Sequence, residues 1–369
     1  MSDTKTEFHV RVVRLSEISR HPNADTLSIT QIDGYPVIFK TGQFATGGLA
    51  VYVPVDALVP TDRPEFVFLA KNGEGPGRHR VRAMRLRGVF SMGLLVPVPY
   101  AECEVDDDLA DYLRVTKYMP PSELRLTSQM PRGAARAMRD PGFMPVYGLD
   151  AIRKTGTHAL TDERVVITEK IHGTNARFCY RGGRLWVGSH KVMRGRTPHR
   201  LLLALTQAKL KLFDVLGIKH RAHILNTAGD VWWECVKQYD LERKLATVPG
   251  YVVYGEIYGQ GVQDLTYDSP IGRKFRVFDV LDTKTGRYLD HEALVGFAHS
   301  LGLATVPVLY CGTFAEGLLS LAEGKSTLAP HVREGIVIRP LREKFDRTTG
   351  RVALKHVGEG YYLRNEATS

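Results

Sequence analysis

Cysteine is scarce in this sequence. Its 369 residues include only four cysteines, which are far apart and form no C-x-x-C pair: Cys103, Cys179, Cys235 and Cys311. Disulfide frameworks and tetrahedral zinc sites both need cysteines at close, regular spacing. The pattern therefore favours reduced thiols with a structural role over disulfides or a zinc site.

Long hydrophobic runs are missing as well. No apolar stretch approaches the roughly 18 residues that a transmembrane helix requires, and the polar start, Met1–Lys5, has no apolar signal-peptide core. Together with the separated cysteines, these features predict a cytoplasmic protein with no membrane partner. No segment indicates an obligate protein partner.

Positive charge, by contrast, is abundant. Lysine and arginine number 50 against 40 aspartate and glutamate residues, which gives a net charge of +10. A basic balance favours a polyanionic partner, most often nucleic acid, although a soluble basic protein without such a partner has the same composition. The length predicts about two domains of roughly 150 residues each.

Residues 1–118 consist of short alternating segments separated by glycine and proline turns. Phe8–Val13 and Val51–Val55 are two such segments, and many short strands with glycine turns are typical of a small β-barrel. Two stretches, His21–Leu27 and Arg87–Leu94, resemble the tRNA-binding type of OB-fold module. We therefore predict an OB-like, nucleic-acid-binding domain over residues 1–118.

Arginines crowd one part of this predicted barrel. Strand alternation places Arg78, Arg80 and Arg82 on one face, where they could follow a phosphate backbone. The alternative is a solvated edge strand whose charges prevent aggregation. We predict nucleic-acid contacts for the three arginines and keep that alternative beside the prediction.

The composition changes after the barrel. Residues 119–148 are rich in proline and arginine and predict a linker. Residues 149–369 mix strands and helices without regular alternation, so we predict an α+β domain of antiparallel sheets with flanking helices. The predicted helices lie at 197–217, 232–245, 290–301 and 314–322.

Several apolar strands of this domain each carry one charged residue. Lys170 ends the run Val165–Lys170, and the others lie within or at the ends of later strands: Glu256, Asp279, Glu334 and Lys355. A lone lysine at a strand end is usually just solvated. Buried charges, however, cost several kcal/mol unless they are paired, so we expect these residues to share one cleft. Two lysines facing three carboxylates suit a nucleoside triphosphate with a divalent cation.

The motifs around these residues resemble those of the covalent nucleotidyltransferases, in the form found in RNA ligases with an N-terminal OB module. Lys170–Asn175 is similar to motif I. The other motifs follow in the family's order: Val187–Lys191 (Ia), Tyr254–Glu256 with Gly261–Gln263 (III), Phe278–Asp279 (IIIa), Glu334–Val337 (IV) and Leu354–His356 (V). The resemblance implies a ligase-type nucleotidyltransferase domain and an ATP-dependent RNA ligase.

Two departures from the family pattern affect the expected site. Motif V often reads Lys-x-Lys, and here Ala353 takes the first position, so only Lys355 remains. Motif Ia often has arginine after its serine, and here His190–Lys191 stands there instead. Arg194 or Arg196 could supply the missing arginine.

The resemblance implies three nucleotidyl-transfer steps. Lys170 attacks the α-phosphorus of ATP and expels pyrophosphate, the AMP then passes to a 5′-phosphate end, and a 3′-hydroxyl attacks that end and releases AMP. This implies ATP and Mg²⁺ or Mn²⁺ as cofactors. It also implies RNA as partner, alone or in duplex with RNA or DNA, in the repair of nicks.

Attack by Lys170 on the phosphorus needs a neutral amine. A second cation about 5 Å away would lower the pKa of Lys170 by about two pH units, and we expect Lys355 or bound metal to supply it.

Other roles are carried over from the matched motifs. Lys170 and Lys355 are the implied catalytic residues, and Glu334 is the implied metal ligand. The implied nucleotide-binding residues are Glu169, His172, Gly173, Asn175, Glu256, Phe278, Asp279 and Lys355. Phe278 would stack on adenine, and Asp279 would support the lysine pair. The implied nucleic-acid contacts of this domain are Ser189, His190, Lys191 and Arg194.

Two other classes of protein fit part of this pattern. A DNA ligase or capping-type guanylyltransferase usually has aspartate in place of His172 and an OB domain after motif V, where only 14 residues follow Lys355. A non-catalytic RNA-binding protein with a degenerate ligase domain would tolerate Ala353. The intact Lys170 and Glu334 argue against that second alternative.

Overall fold

The computed structural model describes residues 8–70, 77–118, 140–195, 230–265, 267 and 272–364. Contacts divide the chain into two compact units, and each is described by itself. The first comprises residues 1–119, 151–156 and 357–369, and the second comprises residues 120–150 and 157–356.

Short strands make up most of the first unit. They are β1 (Arg11–Arg14), β2 (Ser19–His21), β3 (Ala24–Ile32), β4 (Tyr35–Lys40), β5 (Leu49–Val53), β6 (Ala57–Pro60), β7 (Arg78–Arg80), β8 (Met84–Leu86), β9 (Val89–Ser91), β10 (Leu94–Val96) and β11 (Thr116–Lys117). They pair in the orders β1–β5–β10, β2–β3–β4, β11–β6–β7 and β8–β9. Alternate residues of these strands point inward, so apolar side chains such as Val12, Val51 and Val53 are fully buried. The strand-rich residues 8–118 agree with the small barrel that the glycine-punctuated sequence predicts.

The remaining strands form two five-stranded sheets and a hairpin. They are β12 (Asp150–Ala151), β13 (Arg164–Lys170), β14 (Thr174–Arg181), β15 (Arg184–Ser189), β16 (Tyr251–Gly259), β17 (Arg273–Asp282), β18 (Arg287–Tyr288), β19 (Val308–Thr313), β20 (Gly335–Pro340), β21 (Phe345–Asp346), β22 (Gly350–Arg351) and β23 (Leu354–Val357). The sheet orders are β12–β23–β20–β13–β19 and β15–β14–β16–β17–β18. Strand β13 pairs antiparallel with β19 and β20, and β16 pairs antiparallel with β14 and β17. With its flanking helices, this arrangement confirms the α+β prediction.

The described helices are short. The α-helices are α1 (Ile152–Thr155), α2 (Val231–Tyr239), α3 (Leu241–Ala246), α4 (His291–Ser300) and α5 (Glu359–Leu363), and 3₁₀ turns lie at Val67–Leu69, His158–Leu160 and Glu316–Ala322. The predicted helix 290–301 is confirmed by α4. The predicted helix 232–245 is instead two helices, because Asp240 adopts a left-handed conformation with φ of 54°. The prediction for 197–217 lies outside the described residues, and 314–322 contains a 3₁₀ turn. No helix in the described ranges is long and apolar enough to cross a bilayer.

Two short segments after residue 149 pack in the first unit rather than the second. The Tyr362 ring of α5 lies 6.0 Å from the Tyr35 ring, and Glu359 pairs with Arg85 at 3.2 Å. The sequence-predicted domain 149–369 did not anticipate this, because the contacts join residues more than 270 positions apart. The predicted boundaries themselves stay a prediction.

The last part of the predicted linker, residues 140–148, packs within the second unit. Residues 119–139 lie outside the described ranges, but Met144 is fully buried and Tyr147 is 7% exposed. Both pack with Cys179 and Tyr254 in an apolar cluster of the second unit. Proline content indicated a linker, whereas the burial of these two side chains places residues 140–148 in the fold.

Candidate active site

Lys170 lies at the end of β13, near the middle of a sheet. Val165, Val166 and Ile167 are fully buried, and Lys170 faces Gly335 on β20. This pairing brings Glu334, which directly precedes β20, beside the lysine. Lys170 Nζ donates to Glu334 Oε1 at 2.6 Å. The register of β13 and β20 therefore brings together Lys170 of motif I and Glu334 of motif IV, which the sequence expected in one cleft.

The electrostatics of the two lysines differ from the sequence-based expectation. Burial disfavours the Lys170 ammonium, but the carboxylates of Glu334 and Glu256 outweigh burial and raise the pKa of Lys170. Burial and the charge of Lys170 lower the pKa of Lys355 instead. The charge of one lysine therefore affects the pKa of the other, but it is the pKa of Lys355 that is lowered. For Lys170 the direction is opposite to the one expected from Lys355, because the two facing carboxylates outweigh burial. The effect expected from bound metal stays a prediction.

Glu256 is brought to the same place by a second sheet. It lies on β16 opposite Asn175 of β14. Burial, together with the charge of Glu334, raises the pKa of Glu256 to about 8 against the opposing effect of Lys170. A carboxyl group poised near neutrality, next to a lysine, is typical of functional sites.

Gly173 and Asn175 are the later residues of motif I: Gly173 lies between β13 and β14, and Asn175 lies on β14. A Cβ at Gly173 would collide with the Ile257 carbonyl oxygen and would lie 2.9 Å from Glu256 Cγ, so only glycine fits this close approach. The Asn175 carbonyl accepts a hydrogen bond from Trp232 Nε1 at 3.0 Å. Among the described residues, the buried Asn175 Oδ1 has no hydrogen-bond partner.

His172 contacts residues that the motifs did not single out. Its Nε2 lies 2.5 Å from Asp264 Oδ1, and its backbone N–H donates to Tyr267 Oη at 2.7 Å. Its Nδ1 is 3.7 Å from Glu334 Oε2. Burial would lower the pKa of His172, but Asp264 and Glu334 raise it. Asp264 and Tyr267 lie in an irregular segment, so no periodic pattern in the sequence could reveal them.

Glu334 has the properties of a metal ligand. Lys170 and His172 lower its pKa against the opposing effect of burial. Glu334 Oε2 is buried and, within the described ranges, has no hydrogen-bond partner. The same ranges contain no cluster of three or more His, Cys, Asp or Glu side chains that could hold a metal alone. A hard cation held by one or two carboxylates together with substrate phosphates fits this donor set.

Glu169 has a structural role through its side chain. Its buried carboxylate accepts hydrogen bonds from Ser326 Oγ and from the Thr327 backbone N–H, the latter at 2.8 Å. Its backbone N–H donates to the Pro307 carbonyl at 2.9 Å. These bonds fasten the motif I strand to a later loop, and nucleotide binding by Glu169 stays a prediction.

Phe278 and Asp279 lie where β17 departs from regular pairing. Asp279 pairs with Tyr254 and Val277 with Gly255, so Phe278 is the extra residue of a β-bulge. The Phe278 ring is half-buried and lies 4.8 Å from the Tyr147 ring. Stacking of Phe278 on adenine stays a prediction.

Asp279 contacts no lysine in the described structure, contrary to the role inferred from the sequence. It is fully buried, and it accepts hydrogen bonds from Tyr147 Oη at 2.7 Å, Arg351 Nη2 at 2.6 Å and Arg339 Nη1 at 3.1 Å. A buried carboxylate needs partners on both oxygens, and two distant arginines provide them. Strand position alone could not distinguish Asp279 from Glu334.

The motif Ia residues divide into exposed and buried members. Ser189 Oγ donates to the Val192 carbonyl at 3.1 Å, and the exposed His190 has a pKa lowered by burial of its ring and by nearby cations, Lys191 first. Lys191 is exposed. Arg196 lies outside the described residues.

Arg194 is buried, contrary to the predicted nucleic-acid contact. It is 7% exposed, its Nη1 lies 3.2 Å from Asp230 Oδ2, and its guanidinium stacks 3.7 Å from the Trp232 ring centroid. Asp230 also accepts the backbone N–H groups of Trp232 and Trp233, so it caps α2. The Arg194 guanidinium is thus already paired with Asp230, which lies 36 positions later in the chain.

The arginines of the first unit are likewise unequal. Arg78 Nη1 donates to Thr116 Oγ1 at 3.0 Å, and Arg80 pairs with Asp56 at 2.7 Å and stacks 3.8 Å from the Tyr118 ring centroid. Arg82 is exposed but lies beyond the end of β7 at Arg80. The predicted strand face is therefore shorter than expected, because β7 ends at Arg80 and does not include Arg82. Nucleic-acid contacts of the three arginines stay a prediction.

Comparisons with known proteins add to this geometry. An RNA ligase family model matches residues 163–357, more than half of the chain, and an OB-fold domain model matches residues 9–98. The chain is similar to solved structures of Naegleria gruberi RNA ligase. A form with ATP and Mn has a TM-score of 0.71 at 20% identity, covering 96% of this chain and 98% of that one. A form with pyrophosphate has a TM-score of 0.70 at 20% identity, covering 99% and 100%. A form with AMP and Mn has a TM-score of 0.68 at 19% identity, covering 96% and 98%. At 19–20% identity, the similarity to these structures shows that the fold is shared.

No curated protein matches the chain.

Proposed function

Because the chain belongs to the RNA ligase family, we propose that it is an ATP-dependent ligase that joins RNA 3′-hydroxyl and 5′-phosphate ends through a lysyl–AMP on Lys170. One observation carries the proposal. Lys170 Nζ lies 2.6 Å from Glu334 Oε1, and among the described residues the other oxygen of that carboxylate has no hydrogen bond and only an ionic contact with His172 Nδ1 at 3.7 Å. A lysine beside a carboxylate whose second oxygen can still bind a cation suits attack on a metal-bound phosphate.

The first step uses Lys170 as a nucleophile. Its Nζ forms a bond to the α-phosphorus of ATP as the bond from that phosphorus to the departing pyrophosphate breaks. Glu334 Oε1 already accepts a hydrogen from Nζ and is the nearest base for the proton that must leave. Lys355 carries the second cation, which opposes protonation of Lys170 and neutralises phosphate charge in the transition state.

A divalent cation fits the pocket as a partner of Glu334. Carboxylate oxygen is the ligand that Mg²⁺ and Mn²⁺ prefer, and such ions commonly use few protein ligands and several phosphate oxygens. When bound, the ion would neutralise phosphate charge and weaken the hold of Glu334 on the Lys170 proton. The structure of Naegleria RNA ligase with ATP and Mn supports this assignment by its shared fold.

The other pocket residues hold the nucleotide in this proposal. Glu256 binds a ribose hydroxyl, and its pKa of about 8 lets it donate as well as accept a hydrogen bond near neutral pH. Phe278 covers the base. His172 and Asn175 orient the phosphates or the incoming end, and Asn175 Oδ1 is free to accept a hydrogen bond within the described structure.

The later steps act on RNA. AMP passes from Lys170 to the 5′-phosphate, and the 3′-hydroxyl then forms the phosphodiester as AMP leaves. We propose nicked RNA, paired with RNA or DNA, as the substrate in RNA repair, with residues 1–118 as the RNA-binding module and 149–369 as the catalytic domain. The exposed His190 and Lys191, with Ser189, remain candidate contacts to the RNA. The cytoplasmic location inferred from the cysteines stays a prediction.

The test is adenylylation of the full-length chain. Wild type, Lys170→Ala and Lys344→Ala would be incubated with α-labelled ATP and Mg²⁺ or Mn²⁺ and run on a denaturing gel. Lys344 is a matched control, because its Nζ also contacts a glutamate, Glu163, at 2.5 Å outside the pocket. We expect acid-labile label on wild type and the control, and none on Lys170→Ala.

Ligation is measured next, on RNA with a 5′-phosphate and a 3′-hydroxyl presented as a nick or as free single strands. Faster sealing of the nick supports the repair substrate, whereas equal or faster joining of single strands contradicts it. Absence of label on wild type with every nucleotide and metal would sink the ligase proposal and leave a non-catalytic RNA-binding protein.

A further inference from the structure

The hairpin β8–β9 of the first unit presents an arginine at its tip in an uncommon backbone conformation. Met84–Leu86 pairs with Val89–Ser91, and the turn consists of Arg87 and Gly88 with φ of 46° and 86°. Turns with two positive φ values favour asparagine or aspartate before the glycine. Arginine there is held in a strained conformation, which persists only where the surroundings fix it.

Two side chains fix this turn. His21 Nδ1 accepts the Asn23 backbone N–H at 3.0 Å, so the ring hydrogen is on Nε2, which bonds the Leu86 carbonyl at 3.0 Å. Asn23 Nδ2 donates to the Arg87 carbonyl at 2.9 Å. The backbone on both sides of the tip is thus bonded, while the Arg87 side chain is exposed.

The nearby arginines differ in what they already bind. Arg78 and Arg80 are bonded to Thr116 and Asp56, and Arg85 pairs with Glu359. Arg82 and Arg87 are exposed, and the described residues offer them no ion pair, side-chain hydrogen bond or ring contact. The two guanidinium groups are therefore available to an external anion at no cost in existing bonds.

We propose that Arg82 and Arg87 bind the phosphodiester backbone of the RNA substrate, at a contact in the first unit. A guanidinium fork matches phosphate geometry. The two arginines are five positions apart, so their Cα atoms are separated by no more than about 18 Å. An OB fold covers roughly 4–16 nucleotides, so one strand can meet both. The proposal rests on the proposed function only for the identity of the polyanion.

The experiment is RNA binding by the full-length chain over a range of salt concentrations. The probe is a fluorescent single-stranded RNA of about 20 nucleotides, longer than one OB fold covers, followed by fluorescence anisotropy. Arg82→Gln/Arg87→Gln should raise Kd on the order of 10-fold at low salt. It should also lower the slope of log K against log salt by about 1.4, the value for two phosphate contacts on a single strand.

Three companion variants make the result decisive. Arg287→Gln/Arg347→Gln removes the same charge from two exposed positions elsewhere and should keep wild-type Kd. Arg82→Lys/Arg87→Lys should keep most of the affinity and slope, since both charges remain. Arg87→Gly with Arg82→Gln should bind as weakly as the glutamine pair, and since glycine relieves the turn, misfolding cannot explain the loss.

Either of two results would overturn the proposal: no change in Kd and slope for Arg82→Gln/Arg87→Gln, or an equal change in Arg287→Gln/Arg347→Gln. A lysine pair as weak as the glutamine pair would contradict contact through phosphate charge. Wild-type adenylylation, measured without RNA, decides the proposed function separately, because it needs no RNA contact.

Discussion

Two clusters of buried charge in the second unit look alike in sequence and differ in structure. In the pocket, Lys170 contacts Glu334 at 2.6 Å, and in the second cluster Arg351 contacts Asp279 at the same 2.6 Å. Asp279 uses both oxygens, with Arg339 and Tyr147 as further donors. Glu334 has a buried oxygen without a hydrogen-bond partner in the described ranges.

The two clusters differ in whether the fold supplies a partner for every buried carboxylate oxygen. Buried polar atoms are almost always hydrogen-bonded, so an acceptor without a partner indicates room for something the chain itself does not supply. The pocket also contains Glu256, whose pKa burial raises to about 8. We infer that the Asp279 cluster stabilises the fold and that the Lys170 pocket keeps its capacity for ligands.

The largest expected effect is a loss of stability when the Asp279 cluster is broken. Asp279→Ala leaves Arg339 and Arg351 facing an empty site, and loss of one partner from a buried ion pair costs about 3–5 kcal/mol. Urea unfolding followed by circular dichroism measures this. Asp111→Ala, at an exposed position, should change stability by less than about 0.5 kcal/mol. A stable but inactive Asp279→Ala protein would contradict the structural assignment.

The second effect falls on activity. Glu334→Gln removes the charge that binds metal and contacts Lys170, and the adenylylation rate should fall at least about 100-fold, or about 2.7 kcal/mol. Glu163→Gln is the control, since Glu163 pairs with Lys344 at 2.5 Å on the surface, where such a pair contributes little. Equal adenylylation rates for wild type and Glu334→Gln would contradict the assignment of a catalytic role to the Lys170 pocket.

A pH series sharpens the comparison further. The folded pKa of Glu256 is about 8, against 4.5 for an ordinary glutamate, so between these values the folded state holds a proton that the unfolded chain has released. Stability from this group is complete below pH 4.5 and is lost as pH rises through 8. In metal-free buffer, Glu256→Gln should flatten this decline, which is at most about 1.4 kcal/mol per pH unit for one proton. Identical slopes for the two proteins would show that Glu256 ionises normally.

The smallest effect concerns a residue that supports the pocket from behind. Trp232→Phe removes the indole N–H that bonds the Asn175 carbonyl at 3.0 Å and should cost about 1 kcal/mol of stability. Trp233→Phe, which loses a similar bond to Gly195 at 3.0 Å, is the matched comparison. If adenylylation shows a raised KM for ATP only in Trp232→Phe, the bond positions motif I. Equal KM values in the two variants would contradict that role.

Local pattern in the sequence was sufficient for several parts of this protein. The apolar run into Lys170 predicted β13 with the lysine at its end, Asp290 predicted the start of α4, and glycine spacing predicted the short strands of residues 8–118. The sequence also predicted that Lys170 and Glu334 share one cleft, which agrees with their contact at 2.6 Å. These features depend on neighbours within a few residues or on a motif order that the family shares.

Contacts between distant residues decided the rest. The bulge at Phe278 and the arrival of Arg351 directed Asp279 away from the lysines. Asp230, 36 positions along the chain, buried Arg194, and Tyr147 in the predicted linker became a partner of Asp279. Strand alternation tells which residues share a face, but not which distant side chain meets them. The sequence by itself identified the charged residues to which we assign the chemistry in our proposal, because they recur in the order of the family motifs. Only tertiary packing decided which of those charges are paired within the fold, because the partners come from distant parts of the chain.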